Sequence, residues 1–113
     1  MRLEITFGVA FDRHGQPVQD ADAKINQVIA YAADLFGGVT IIRTVGGWLN
    51  DKRALVCESG RLLIIDGYQM FADKDGKERL PQYIGKLFNQ SAVMARITDN
   101  EAKSIDIDYG PPD

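Results

Sequence analysis

The segment from Ala54 to Asp66 constrains the fold more than any other part of this chain, because its apolar residues fall on both faces of a strand. Side chains of a strand point alternately to the two faces of its sheet. The two alternating sets are Val56, Leu62 and Ile64 on one face and Leu55, Leu63 and Ile65 on the other. Both sheet faces must therefore be covered, either by a second subunit or by the long loop and tail of the same chain.

Glu58 interrupts this apolar segment and needs an explanation. A carboxylate that loses water without gaining a partner costs several kcal/mol or stays protonated, so such a residue is usually paired or used. Arg61 has the opposite strand parity and cannot be its direct partner. Two readings remain open: a carboxylate directed at a cationic ligand in a cleft, or a structural ion pair with an arginine, for which the candidates are Arg43, Arg53 and Arg96.

Length and composition exclude several classes of protein. The 113 residues, 45% of them apolar, suit one domain with one core. A net charge of -3 offers no basic surface for nucleic acid, and no apolar run is long enough to span a membrane, so we expect a cytoplasmic protein. We expect the single Cys57 to be a buried structural thiol and the single His14 to lie in a solvated turn. Neither a histidine-based triad nor a metal site is predicted, and no cofactor.

The remaining patterns predict the element order β-α-β-β-α-β. Period-two alternation through Leu3, Ile5, Phe7, Val9 and Phe11 indicates the first strand. Helical spacing predicts a helix from Ala21 to Phe36, with Asp20 as its N-cap and Gly37-Gly38 at its end. The other predicted elements are a strand over 39–45, a strand over 53–66 with a bulge at Gly60, a helix whose first turn holds Pro81, and a strand over 92–98. Asp73–Gly76 is predicted to be a plain turn and not a calcium loop.

This order closes most simply as an α+β, ferredoxin-like antiparallel sheet with both helices on one face. Residues 1–98 would form the single domain. Residues 99–113 would form an acidic tail, ordered only if it docks on something. Because the second sheet face lacks a cover, we expect a homo-oligomer, most simply a PII-like trimer with ligand clefts between subunits.

Two further segments are candidates for ligand binding. Gly46-Gly47-Trp48 would form a corner before a hairpin turn, where bare backbone can approach a ligand and the indole can stack on a purine or a sulfonium; the alternative is a hairpin corner capped by an aromatic ring. Asn89-Gln90 follows the second helix and can hydrogen-bond a carboxylate or amino group; the alternative is a helix C-terminal cap.

Taken together, these residues resemble a known family. The segments Leu3-Glu-Ile-Thr-Phe-Gly-Val, Phe36-Gly-Gly-Val-Thr, Gly46-Gly-Trp and Leu87-Phe-Asn-Gln-Ser-Ala-Val, with the strand that bears Glu58, are similar to the small bacteriophage S-adenosylmethionine (SAM) lyases. The layout is also similar to uncharacterised bacterial domains of unknown function.

The resemblance implies a cytoplasmic homotrimer, in the host cell if the protein is phage-encoded, that cleaves SAM to methylthioadenosine and homoserine lactone without a metal. It further implies that Glu58 is the essential carboxylate and that Gly46, Gly47 and Trp48 bind substrate along the strand edge. Gln90 of a neighbouring subunit would hold the amino-acid end. The alternative of a different class is a noncatalytic PII-like trimer that binds a nucleotide or metabolite in the same clefts; a purely structural oligomer is a third.

Overall fold

The described residues form one five-stranded antiparallel sheet with two helices packed on one face. The computed structural model describes residues 1–67, 76–98 and 102–108. Its elements are β1 (Arg2–Gly8), α1 (Ala21–Phe36), β2 (Thr40–Leu49), β3 (Leu55–Asp66), α2 (Gly76–Leu87), β4 (Ala92–Thr98) and β5 (Ala102–Asp108). The strand order is β2-β3-β1-β4-β5. The first four strands and two helices confirm the α+β, ferredoxin-like prediction. No helix among the described residues is long and apolar enough to cross a membrane.

The core lies between the sheet and the two helices. β1 and β2 both pair antiparallel with β3, so they run parallel to each other, and α1 connects them across the sheet. β3 and β4 both pair antiparallel with β1, so they are also parallel to each other, and α2 connects them. Apolar residues of odd number on the strands face the helices. The most buried members of this core are Leu3, Ile5, Val28, Ala32, Leu63, Leu80 and Ile84. Tyr31 of α1 and Tyr83 of α2 stack with ring centroids 4.1 Å apart.

Helix α1 has the predicted bounds, but its N-terminus differs in detail. Asp20 is at the N-cap position, as expected, and its carbonyl accepts the Lys24 N–H at 3.0 Å, but its backbone is left-handed, with φ of 53°, and its side chain makes no capping hydrogen bond. With this backbone, the Asp20 carboxylate does not cap the first turn. At the other end Gly37 has φ of 85° and donates its N–H to the Ala33 carbonyl at 2.7 Å, which confirms the glycine stop.

Helix α2 begins earlier than predicted. It starts at Gly76, so Pro81 lies inside the helix and not in its first turn. The residues before Pro81 explain the difference, because Lys77, Glu78 and Arg79 are good helix formers and Glu78 lies in the first turn, where negative charge is favoured. The turn predicted at Asp73–Gly76 lies outside the described residues except for Gly76.

The β2–β3 hairpin is longer than the sequence suggested. Gly46, Gly47 and Trp48 do not form a corner, because β2 continues through them to Leu49 in unbroken register with β3. The chain turns at Asn50 instead, whose side-chain oxygen accepts the backbone N–H groups of Lys52 at 2.9 Å and Ala54 at 3.0 Å.

Beyond the β1–β3 pairing, which ends at Gly8 and Gly60, the outer part of the hairpin consists of residues 45–59. In this part β2 and β3 pair with each other and lie beyond the main helix-covered core. Cys57 is consequently exposed, and the prediction of a buried thiol was wrong for the single chain. Val45 and Leu55 belong to the same outer part of the hairpin, and they are 80% and 69% exposed.

The C-terminal segment joins the sheet. Residues Ala102–Asp108, which we counted with the tail, pair with β4 in antiparallel register from Ala102 opposite Thr98 to Asp108 opposite Ala92. β5 therefore occupies the edge of the sheet that β4 would otherwise form.

Gly60 is required for close packing and is not a bulge. It pairs in register with Gly8 on one side and Thr44 on the other. A methyl group at Gly60 would stand 2.7 Å from the Phe7 carbonyl oxygen and 2.8 Å from Thr44 Oγ1. Both distances are too short for a carbon contact, and the carbonyl belongs to the central strand.

We therefore predict that Gly60→Ala destabilises the fold by about 1–3 kcal/mol, the usual cost of overpacking. Gly46→Ala is the matched control, because a methyl group there meets nothing within 4 Å. Urea unfolding followed by circular dichroism measures both variants. Equal midpoints for Gly60→Ala and the unmodified protein would contradict the close approach of β1 and β3.

A candidate active site on the open sheet face

The sheet face turned away from the helices, called here the open face, is partly apolar and is not covered by α1 or α2. Cross-strand pairing places Ile42 beside Leu62 and Leu62 beside Thr6, and Thr6 beside Met94, in one row across four strands. Ile42 is 45% and Met94 47% exposed, whereas Leu62 is half-buried. The apolar second face of β3 expected from the sequence is present.

A groove of about 450 Å³, called here the sheet-face groove, lies at one end of this face. Its floor is a pair of glycines, Gly8 on β1 and Gly60 on β3, which stand directly opposite each other. Its walls include Thr44, Trp48 and Glu58 on the β2–β3 side and Ala92 and Met94 on the β4 side. Because the floor carries no side chains, the groove reaches the sheet backbone.

Glu58 is half-buried in this groove, and its side chain extends from β3 toward the neighbouring strand β1. Its Oε1 lies 2.5 Å and its Cδ 3.0 Å from the point where a Cβ of Gly8 would stand. Among the described residues its carboxylate has no ion pair and no side-chain hydrogen bond. This charge is therefore available to a ligand.

The three arginines considered as partners of Glu58 are placed elsewhere. Arg43 stands opposite Arg61 in the strand register, on the helix side of the sheet, where both line a second groove of about 360 Å³. Arg53 lies in the hairpin turn with φ of 60°. Arg96 on β4 stands opposite Glu4 of β1 in the strand register, toward the opposite end of the open face. The structural ion pair is thus not formed within the part of the chain that the structure describes.

The Gly46-Gly47-Trp48 segment lines the same groove as Glu58. Gly46 stands directly opposite Glu58, and Trp48 stands opposite Val56 on the same face with 54% of its surface exposed. Neither glycine has a positive φ, so their contribution is open space and not an unusual backbone conformation. The structure brings four of the five proposed site residues together: Gly46, Gly47, Trp48 and Glu58.

Gln90 does not line the groove of its own chain. It precedes β4, at the sheet end where Ala92 borders the groove, and its Nε2 donates to the Phe11 carbonyl at 2.7 Å. Asn89 has φ of 51°, and the Gln90 N–H donates to the Gly85 carbonyl at 2.8 Å, so this pair does terminate α2. The capping role and a role toward a neighbouring subunit are compatible.

A loop anchored by Asp12 holds this end of α2. Asp12 Oδ1 accepts the backbone N–H groups of His14 at 2.8 Å and Gln16 at 2.9 Å, and Asn89 donates its side-chain amide to Oδ2 at 3.5 Å. The Gln16 N–H, followed by those from His14 and Asn89, lowers the pKa of Asp12 below its ordinary value of 3.8. His14 itself is exposed in the turn, as predicted.

Sequence reasoning missed Gly8, Gly60 and Thr44 as site residues. Thr44 Oγ1 leans over Gly60 in the same way that Glu58 leans over Gly8. A signal was present, since Gly8 ends β1 short of the predicted Phe11 and Gly60 lies within β3, and glycine in a strand often marks a close approach. Their alignment opposite each other depends on strand register, which the sequence does not state.

Comparison with known proteins supports the architecture. No model of a protein family matches the sequence, and no curated protein is significantly similar to it. A solved phage SAM lyase in the apo state has a TM-score of 0.67 and 17% identity, and the alignment covers 96% of this chain and 90% of that chain. A phage SAM lyase in complex with S-methyl-5'-thioadenosine has a TM-score of 0.65, 16% identity and the same coverages. The resemblance seen in the sequence is thereby confirmed at the level of the fold.

The lowered pKa of Asp12 predicts a specific pH dependence. A carboxyl whose pKa is depressed by folding stabilises the native state above its unfolded pKa, and this contribution is lost as the pH falls through the folded pKa. We therefore expect the unmodified protein to lose more stability than Asp12→Asn between about pH 5 and pH 2. Urea midpoints at several pH values measure this difference. Parallel curves for the two proteins would contradict the role given to Asp12.

Proposed function

We propose that this protein is a SAM lyase that cleaves SAM to methylthioadenosine and homoserine lactone in the sheet-face groove. One observation carries the proposal: the Glu58 carboxylate, without an ion pair among the described residues, lies over bare backbone in a largely apolar groove. The fold supports the proposal, because two solved structures of phage SAM lyases share it across almost the whole chain, one of them in complex with S-methyl-5'-thioadenosine.

The reaction needs little from the protein beyond positioning. The substrate carboxylate attacks its own Cγ, a C–O bond forms, the C–S bond breaks, and the sulfonium leaves as a neutral thioether. No proton is transferred and no protein nucleophile is required. Holding the carboxylate and Cγ in a near-attack geometry therefore supplies much of the rate. The attacking anion and the departing cation neutralise each other, so a site poor in water favours the transition state over the separated charges.

The changes in charge on the substrate during the reaction indicate which of its groups Glu58 contacts. The sulfonium loses its charge during the reaction, so a carboxylate placed against it would stabilise the substrate more than the transition state. The substrate ammonium keeps its charge throughout. Glu58 facing the ammonium would orient the amino-acid end without opposing departure of the thioether, and we assign it that role.

The remaining site residues follow from this orientation. The exposed face of Trp48 is available to stack on adenine or to contact the sulfonium. Gly46 and Gly47 leave backbone accessible along β2, the strand at the edge of the sheet. Gln90 would hydrogen-bond the amino-acid end of a substrate held by a neighbouring subunit, since it lies outside the groove of its own chain.

A second copy of the chain must close the groove if water is to be excluded from the reaction. The open face exposes Ile42 and Met94 and leaves Leu62 half-buried, which favours packing of sheet faces against one another. A homotrimer with its sheets around a threefold axis would cover these residues and exclude water from the groove. We propose this trimer as the active form.

The direct test of the reaction is to incubate purified protein with SAM and to separate the products by chromatography. We expect methylthioadenosine and homoserine lactone in equal amounts. Glu58→Gln should lower kcat/KM by roughly 30- to 1,000-fold, equivalent to about 2–4 kcal/mol for the loss of one partner of a desolvated charge pair. Asp34→Asn, the same change at an exposed position on α1, is the matched control. Full activity of Glu58→Gln would contradict the assignment.

Calorimetry separates the lyase from a noncatalytic PII-like binder. A binder gives stoichiometric heat, and SAM is recovered unchanged. A lyase gives continuing heat until the substrate is consumed. Recovery of intact SAM after binding would replace the first hypothesis with the second.

The trimer is tested by sedimentation equilibrium, in which we expect three times the 12.5 kDa chain mass. Ile42→Lys should produce monomers, because it places a charge in the proposed interface. Ala30→Lys, at an exposed position on α1 on the other side of the sheet, should remain trimeric. A monomer of the unmodified protein at micromolar concentration would remove the shared site.

A further inference from the structure

We infer that Gly8 is a positioning residue that sets the direction of the Glu58 carboxylate. This inference deepens the proposed function, on which its catalytic consequence depends. Glu58 stands directly opposite Gly46 on β2, yet its carboxylate does not extend over that neighbour. It leans the other way, across β3, and occupies the space above Gly8 that any other residue would fill with its Cβ.

The evidence for this direction is the difference between two glycines that flank Glu58. A methyl group at Gly46 would meet nothing within 4 Å. A methyl group at Gly8 would stand 2.5 Å from Glu58 Oε1, 3.0 Å from Cδ and 3.4 Å from Oε2. The three nearest atoms all belong to the carboxylate. The carboxylate can therefore occupy this position only because residue 8 has no side chain.

A substitution at Gly8, unlike one at Gly60, tests the position of the Glu58 carboxylate without disturbing the backbone. A methyl group at Gly60 would collide with the Phe7 carbonyl, which belongs to the backbone of the central strand. At Gly8 the colliding atoms are the far end of a flexible side chain, which can rotate away. Gly8→Ala should therefore preserve the fold and move only the Glu58 carboxylate.

This geometry also locates the ligand cation. A cationic group that pairs with Glu58 must approach over the Gly8–Gly60 floor, with the Thr44 hydroxyl beside it over Gly60. The floor gives the cation access to the carboxylate from above the sheet. A methyl group at position 8 would displace the carboxylate from this position.

The test compares Gly8→Ala in two backgrounds. In the unmodified protein we expect Gly8→Ala to lower kcat/KM for SAM by roughly ten- to a hundred-fold, the usual cost of a misplacement of about 1 Å. Aspartate is one methylene shorter than glutamate, so its carboxylate ends short of the added methyl group. In the Glu58→Asp background Gly8→Ala should therefore lower kcat/KM by less than about twofold, a coupling that reports direct contact.

Gly38→Ala is the control for the loss of a glycine, because its methyl group meets nothing within 4 Å and it does not line the groove. We expect its kcat/KM to be unchanged. An equal loss from Gly8→Ala in both backgrounds, or no loss in either, would overturn the inference. A urea midpoint for Gly8→Ala much below that of the unmodified protein would also overturn it, because the methyl group would then disturb the strand.

A second measurement keeps the inference separate from the proposed reaction. If the unmodified protein does not turn over SAM, the proposed function fails, but the carboxyl ¹³C resonance of Glu58 still reports its environment. Gly8→Ala should shift this resonance, and Gly38→Ala should leave it in place. An unchanged resonance in Gly8→Ala would show that the carboxylate does not occupy the space above Gly8.

Discussion

The approach of β1 to β3 at the Gly8–Gly60 pair is the contact on which the candidate site depends. A side chain at Gly60 would collide with the Phe7 carbonyl and Thr44 Oγ1, and a side chain at Gly8 would force the Glu58 carboxylate to point elsewhere. With glycine at both, the sheet backbone becomes the floor of a groove, and Thr44 and Glu58 lean over it. The two glycines thus allow β1 and β3 to pack closely and also give the groove its shape.

Local patterns in the sequence were sufficient for most of the fold. Period-two alternation in β1, the helical spacing and Gly37 stop of α1, and the apolar run of β3 each specify an element directly, and α1 has the predicted bounds. The errors occurred where local signals conflict. Gly46-Gly47 suggests a turn, but pairing with β3 keeps both residues extended and the chain turns at Asn50. Pro81 suggests a helix start, but good helix formers precede it.

The candidate site was predictable only in part, for a related reason. Glu58 could be identified because a charge in an apolar strand is conspicuous, and Gly46, Gly47 and Trp48 line the groove beside it. Gly8 was not identified, because its importance depends on which residue of β1 stands near Glu58, and register is a property of the paired strands. Cys57 was misplaced because the sequence does not reveal that the outer hairpin extends beyond the helices. Gln90 lies outside the groove of its own chain, so its role depends on how subunits assemble.

The central claim is that the Glu58 carboxylate, without an ion pair among the described residues, receives the cationic amino-acid end of a ligand above the Gly8–Gly60 floor. The most direct measurement is a crystal structure of Glu58→Gln with SAM, a variant expected to bind substrate and to turn it over slowly. We expect the substrate ammonium within hydrogen-bond distance of the residue 58 side chain, and the adenosine against Trp48. SAM bound outside the groove, or residue 58 turned away from a ligand bound within it, would contradict the account.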